Sequence, residues 1–427
     1  MTPARVVVTG LGVVSPLGLD VSEHRAALSA GRSGAALAGD PRFRDQGPQL
    51  EARVRGFDRR AAVTNRMLRK LLSPSAGYAV GAAGEALADA GLRGDAEALG
   101  GCGLYVGSLS LEIDPEVFIP PLRASLTPDG RFDISLFARR GMKMLDPLFL
   151  VRALPNAGVC GISVEHQVLG PNTNLTNGTA SGLMSVGRAA AAVRRGEVRC
   201  AVAGGYDTLL GMDSVAEHLI AGRLSRRFDS PADACRPFDR HRDGYVLGEG
   251  AAFVVIESAD HALARGARVY AELGPFGETT DTRLLRPENA TDGSALERAA
   301  QLVLDGDGRG ADELGAVFGD GLGTELDDLR EAGALEKLLL DAPAPFAAVT
   351  PALGFTGAAS GVFSLVHAVL AVHGGVAPAL PERREEDPRC RVHVLRRPAA
   401  LAHPRALVWN SERGVKNVAT LVGPRPD

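Results

Sequence analysis

The chain has 427 residues, of which 45% are hydrophobic and 23% charged, with a formal net charge of −4. That much apolar material allows a sizeable core and, by length, two or three domains, while the mildly acidic balance argues against nucleic acid or an anionic membrane as a partner. Five scattered cysteines, Cys102, Cys160, Cys200, Cys235 and Cys390, have no C-x-x-C pair and an odd count, so free thiols in a reducing cytoplasm are expected.

In chain order, residues 6–9 read as a strand with no charged and apolar leader before it, and no run of about 20 uninterrupted apolar residues follows, so a soluble protein is expected. Gly10-Leu11-Gly12 reads as a turn; the third glycine of a dinucleotide fingerprint is missing, with Ser15-Pro16 in its place, so no nucleotide site is expected. An alanine-rich helix follows over 76–90 and a strand over 103–106. Residues 109–149 read as a loop too long to be idle, hence a cap. Cys160 reads as a buried apolar residue rather than a nucleophile.

Residues 173–177 then form a short strand and 178–182 a turn of small residues. The helix behind the turn sets Leu183, Val186 and Ala190 at helical spacing. A residue at the tip of such an elbow lies beside free helix N–H groups, which favour an anion. Thr179 stands at this tip, and Ser181 follows it. The elbow strand is unusually polar, with Asn172, Thr173, Asn174, Thr176 and Asn177 around one leucine, and buried polar groups need partners. Strands over 201–203 and 253–257, a helix over 186–195, and further strands near 269–273, 316–318, 346–350, 392–395, 406–409 and 419–422 complete an alternation that implies mostly parallel sheets covered by helices. The nine histidines show no metal-ligand spacing, so no metal is expected. His241 reads as part of a surface or interface turn. The arginine-rich stretch of Arg223, Arg226, Arg227, Arg236, Arg240 and Arg242 reads as a solvated, salt-bridged loop.

Four blocks stand in a recognisable order: 6–18 (VVVTGLGVVSPLG), the elbow with 201–205 (AVAGG), 236–250 (RPFDRHRDGYVLGEG) and 354–361 (GFTGAASG). On these the chain resembles the β-ketoacyl-acyl-carrier-protein synthases of the thiolase superfamily along essentially its whole length. The resemblance implies an α/β, five-layered αβαβα thiolase-like fold with two similar halves, 1–260 and 261–427, and the cap inserted at about 109–149.

Such synthases hold the acyl chain on a cysteine, and histidines of a His-Gly-Thr and a Thr-Gly-His motif decarboxylate the malonyl unit and stabilise the enolate. The resemblance places Thr179 at the cysteine, Leu322 (in DGLGT) at the first histidine and Gly354 (in ALGFTGAA) at the second. Val349 falls at a customary lysine, and 410–417 (NSERGVKN) replaces a glycine- and phenylalanine-rich gating loop. A threonine hydroxyl without an adjacent base is a weak nucleophile, and a helix dipole that ionises a thiol does not do the same for an alcohol. Losing one preorganised donor costs roughly 100-fold in rate, so no useful condensation is expected.

The pattern is similar to that of the chain-length factors, the β-subunits of type II polyketide and polyene synthases, although their usual glutamine is replaced here by Thr179. That resemblance implies a heterodimer with a ketosynthase α-subunit, acyl chains arriving as phosphopantetheine thioesters on an acyl carrier protein, and no cofactor. Tunnel-lining candidates in the cap are Phe118, Leu122, Phe132, Leu136, Phe137, Met142, Met144, Phe149 and Leu150, each weighed against ordinary core packing. Asn172, Asn174, Thr176 and Asn177 are candidates for a dimer interface, weighed against local hydrogen bonding. Two other readings stay open: a stand-alone acyltransferase or malonyl decarboxylase using Thr179 or Ser181, and a homodimeric acyl-binding scaffold.

Overall fold

The computed structural model describes residues 4–39, 47, 49–109, 115–283, 291–340, 342, 344–380, 385–395 and 397–426; residues 110–114 of the expected cap lie outside them. In the first half, β1 (Val6–Val14), β2 (Gly103–Gly107), β3 (Asn172–Leu175), β4 (Cys200–Thr208) and β5 (Leu247–Ser258) pair in the order β1-β5-β4-β2-β3. In the second half, β6 (Ala271–Thr280), β7 (Ala316–Gly319), β8 (Phe346–Ala348), β9 (Ala406–Glu412) and β10 (Lys416–Gly423) pair in the order β6-β10-β9-β7-β8. The two orders correspond strand for strand. In each half the first two contacts are antiparallel and the last two parallel. β1 and β6 then join the halves antiparallel.

The sheets are therefore mixed rather than mostly parallel. One cause is the short link from β9 to β10: residues 413–415 are too few for a crossover, so the strands form a hairpin.

Helices fill three layers. On the outside of the first half lies α1 (Pro74–Asp89), which begins with Ser73 accepting from the Ala76 amide and with Pro74 in the first turn. The outside of the second half carries α5 (Ser294–Asp307) and α6 (Glu325–Leu339). Between the sheets run α3 (Ser181–Arg194) and α7 (Ser360–Gly374), each touching strands of both halves. Small residues allow this closeness: a Cβ on Gly182 would sit 2.1 Å from the Ala358 carbonyl. The segment Gly357–Gly374 is apolar and long enough to cross a membrane, and here Val362, Phe363, Leu365 and Val366 are wholly buried in the core it shares with both sheets. Two shorter helices frame the site, α2 (Ala157–His166) and α4 (Met212–Ile220).

Several expectations need correction. Gly10 and Gly12 lie within β1 rather than in a turn, because helix α1 crosses so closely that Cβ atoms there would meet the Ala86 and Ala82 carbonyls at 2.2 and 2.0 Å. Residues 392–395 form no strand. They meet β8 through a single bridge, Phe346 to Val394, between Pro388 and Pro398, neither of which can donate to a ladder. The cap is not structureless: it holds the helix Pro115–Arg123 and short turns of helix at Ile134–Leu136, Phe137–Gly141, Met142–Met144 and Phe149–Ala153. Cys160 is exposed, since α2 buries the face carrying Ala157, Val159 and Ile162 and turns Cys160 and Val164 outward. In the arginine-rich stretch Arg236 and Arg242 are buried in ion pairs rather than solvated, Arg236 with Asp233 and Arg242 with Asp328 and Asp387. His241 is exposed and bonded to Glu385.

Candidate functional site

The elbow is assembled from β3, a turn in which Gly178 takes φ +66°, and the start of α3. Thr179 is buried at its tip, 6% exposed. Its hydroxyl donates to the Ser411 carbonyl at 3.3 Å, and its amide donates to Glu412 Oε2 at 2.6 Å. Ser181 is fully buried; its hydroxyl accepts from the Asn177 amide at 2.7 Å and donates to the Gly178 carbonyl at 2.5 Å, so it serves to shape the turn.

A cavity of about 850 Å³ opens in front of Thr179. Leu322 and Phe355 line it, within an apolar cluster that includes Leu209, Leu210 and Tyr245. Gly354, the neighbour of Phe355, is held at φ +73°, and a Cβ there would meet the Ala52 Cβ at 2.7 Å. The backbone at this position has thus been shaped around the absence of a side chain. Val349 is buried in the core.

His218 on α4 lines the same cavity, where sequence reasoning had not looked. Its Nδ1–H donates to the Ser214 carbonyl at 2.7 Å, its ring lies edge-on to Tyr245 and Phe355, and burial lowers its pKa, so the neutral imidazole presents Nε2 as an acceptor. An acceptor is the wrong polarity for stabilising an enolate oxygen, which needs donors. Glu249 closes another wall; it accepts from the Val54 amide, Tyr78 and Thr208, and burial raises its pKa.

Behind Ser411 two carboxylates hold the second half of the site. Asp320 accepts from the Ser411 amide at 2.9 Å and from the Asn410 side chain, while Glu331 accepts from Trp409 Nε1 at 2.7 Å and from the Asp320 and Gly321 amides. Burial pushes both pKa values up, and the nearby Glu331 charge adds to the effect on Asp320. These bonds fix the DGLG turn and the end of β9 relative to each other, and so fix Ser411 and Glu412 against the elbow.

Of the tunnel-lining candidates, Phe118 and Phe149 line the cavity and pack edge-to-face with ring centroids 5.2 Å apart. Phe132 and Phe137 pair with each other outside it, Met142, Met144, Leu122 and Leu150 are exposed, and Leu136 is half-buried. Of the interface candidates, Asn174 bonds to Ser108 and Asn177 to Ser181 and Met184, while Asn172 and Thr176 are exposed.

Known proteins match this chain along most of its length. The family model for the N-terminal domain of β-ketoacyl synthases matches residues 4–262 and that for the C-terminal domain residues 270–382. A 3-oxoacyl-[acyl-carrier-protein] synthase 2 of Coxiella burnetii is 31% identical over 397 residues, 91% of each chain. A putative polyketide β-ketoacyl synthase of Streptomyces cyaneus is 29% identical over 437 residues, 98% of each chain. Among solved structures, the ishigamide ketosynthase/chain length factor superposes with a TM-score of 0.84 at 29% identity, covering 99% of this chain and 100% of that one.

Proposed function

We propose that this chain, which belongs to the β-ketoacyl synthase family, is a non-catalytic member of it, a chain-length factor that pairs with an active synthase and shapes the tunnel in which the partner elongates polyketide or polyene chains. The partner's cysteine would hold the acyl group, and malonyl units would arrive as phosphopantetheine thioesters on an acyl carrier protein. The observation that carries the reading is the chemistry at Thr179. Its hydroxyl proton is committed to the Ser411 carbonyl, and the positions expected to donate to an enolate are Leu322 and Gly354. The stand-alone reading has less support, because Thr179 and Ser181 both donate to backbone carbonyls.

The pairing is supported by the outer face of the first half. β3 has no strand on its outer edge among the described residues, and Asn172 and Thr173 are exposed there. Helix α2 packs beside β3 and beside the short helix Phe149–Ala153. Its Val164, with Leu150, Leu154 and Leu169, leaves apolar side chains exposed near that edge. An open edge with an apolar surround suits strand addition by a partner. Asn172 and Thr176 would meet that partner directly, while Asn174 and Asn177 would shape the strand behind them.

The test is co-expression with an active ketosynthase α-subunit, followed by size-exclusion chromatography and a malonyl-carrier condensation assay of each subunit alone and of the pair. Activity in the pair alone, unchanged by Thr179→Ala, is the expected result. Turnover by this chain alone that Thr179→Ala abolishes, or a homodimer that ignores the synthase, would overturn the reading.

A further inference from the structure

We infer that Glu412 is a resident anion of the elbow: its carboxylate fills the place where the turn's amide would hold the oxyanion of a bound acyl group, closing Thr179 to acyl chains independently of the missing thiol. The inference rests on the non-catalytic reading of the elbow given above, but it is carried by the isolated chain.

Three contacts build the closure. Glu412 Oε2 accepts from the Thr179 amide at 2.6 Å, a charge-assisted bond at a helix-start position that already favours a negative charge. Gly178 makes room for it, since a Cβ there would lie 2.3 Å from the same oxygen. From the other side Arg413 approaches the carboxylate, Nε to Oε1 at 3.4 Å, and its far end bonds to Glu217 on α4 at 2.5 Å. The β9–β10 turn thereby becomes a strap across the cavity. Its shape depends on left-handed backbone at Arg413 (φ +51°) and Gly414 (φ +76°), with the Gly414 amide donating to Ser411 Oγ at 2.8 Å.

One strand end thus engages both donors of Thr179, the Ser411 carbonyl taking the hydroxyl and the Glu412 side chain the amide. A thiol introduced here would face a fixed carboxylate where a reactive thiolate needs free donors.

The experiment compares Thr179→Cys with Thr179→Cys/Glu412→Gln, both as full-length chain carrying Cys160→Ser to remove the exposed native thiol, by the rate of iodoacetamide alkylation at position 179 near neutral pH, read by peptide mass spectrometry. The near-isosteric glutamine removes the charge with little change of shape, and circular dichroism checks the fold. Alkylation is expected to be roughly tenfold faster or more in the double variant; equal rates would overturn the inference. A second arm asks whether a small carboxylate replaces the side chain. Sodium acetate, against sodium chloride at equal ionic strength, should raise the melting temperature of Glu412→Gly and leave the wild-type chain unchanged, whereas the same response in both chains would count against a resident anion. Because neither arm involves a synthase, a chain that failed to pair with one but passed both tests would sink the subunit reading and leave the role of Glu412 standing.

Discussion

The two halves pair their strands identically, yet they finish their sheets in opposite ways. At the end of the second half β8 is covered by the chain itself: the Phe346 amide donates to the His393 carbonyl at 2.7 Å, and Arg242 ties the covering segment down through Asp387 at 2.8 Å while its Nε reaches Asp328 on α6 at 3.2 Å. At the end of the first half β3 is polar and, among the described residues, has no strand on its outer edge, while Leu150, Leu154, Val164 and Leu169 are exposed on the neighbouring segments. Strand pairing alone therefore does not decide what a sheet edge is for. The segment placed next to it does, by supplying either buried ion pairs or an uncovered apolar surround.

The strongest way to break this contrast is to uncover β8. Arg242→Ala leaves Asp328 buried without its cation while Asp387 keeps Arg389, and the expected loss is about 3–5 kcal/mol in urea unfolding, with faster hydrogen exchange at Phe346. A loss under about 1 kcal/mol would show that the cover is held by packing instead.

Acid should act next, at the seam between the halves. His24, on the helix Val21–Ser29, meets His367 of α7 through Nε2 atoms 2.7 Å apart, with Ser15 on His24 Nδ1. Burial lowers the His24 pKa from 6.5 to about 4, and burial, with the repulsion two protonated rings would feel, puts His367 well below 6.5. Both rings are neutral in the fold, so the unfolded chain binds more protons in acid. The stability they contribute is complete above pH 6.5 and is lost as pH falls toward 4, on the order of 3 kcal/mol for His24. Urea midpoints across that range measure it, and His24→Gln/His367→Gln should flatten the slope.

Placing a synthase's cysteine and histidines at the positions the proposed reading assigns them is a smaller perturbation with an informative failure. Gly354→His places a Cβ at φ +73° and 2.7 Å from Ala52 Cβ, with an expected cost of about 1–3 kcal/mol. Thr179→Cys/Leu322→His/Gly354→His should still not condense malonyl-carrier, and a radioactive or mass-spectrometric product assay decides it. The smallest effect on stability belongs to the open edge. Asn172→Lys with Leu150→Glu should change unfolding by less than about 0.5 kcal/mol, while co-elution with a partner synthase is lost. Unchanged co-elution would move the interface elsewhere.

Much of this was legible in the chain. The elbow, its Thr179 tip and most strands of the two halves follow from periodicity and small-residue turns, because these are local signals. Gly10 and Gly12 misled because a glycine looks the same whether it makes a turn or lets a helix pass. Cys160 misled because residue type does not tell which face of a helix is left uncovered.

The order of residues by itself determined the family resemblance and the residue types at the elbow and in the DGLGT and GFTGAASG blocks, with Thr179 at the elbow tip and no histidine in either block. Only the tertiary structure decided what stands around them. Glu412 reaches Thr179 from 233 positions away along the chain, and His218 meets the cavity from a helix outside every recognised motif. Contacts of that kind depend on how two sheets close around a shared pair of helices, and strand pairing across such distances is set by packing of the whole core rather than by any local pattern.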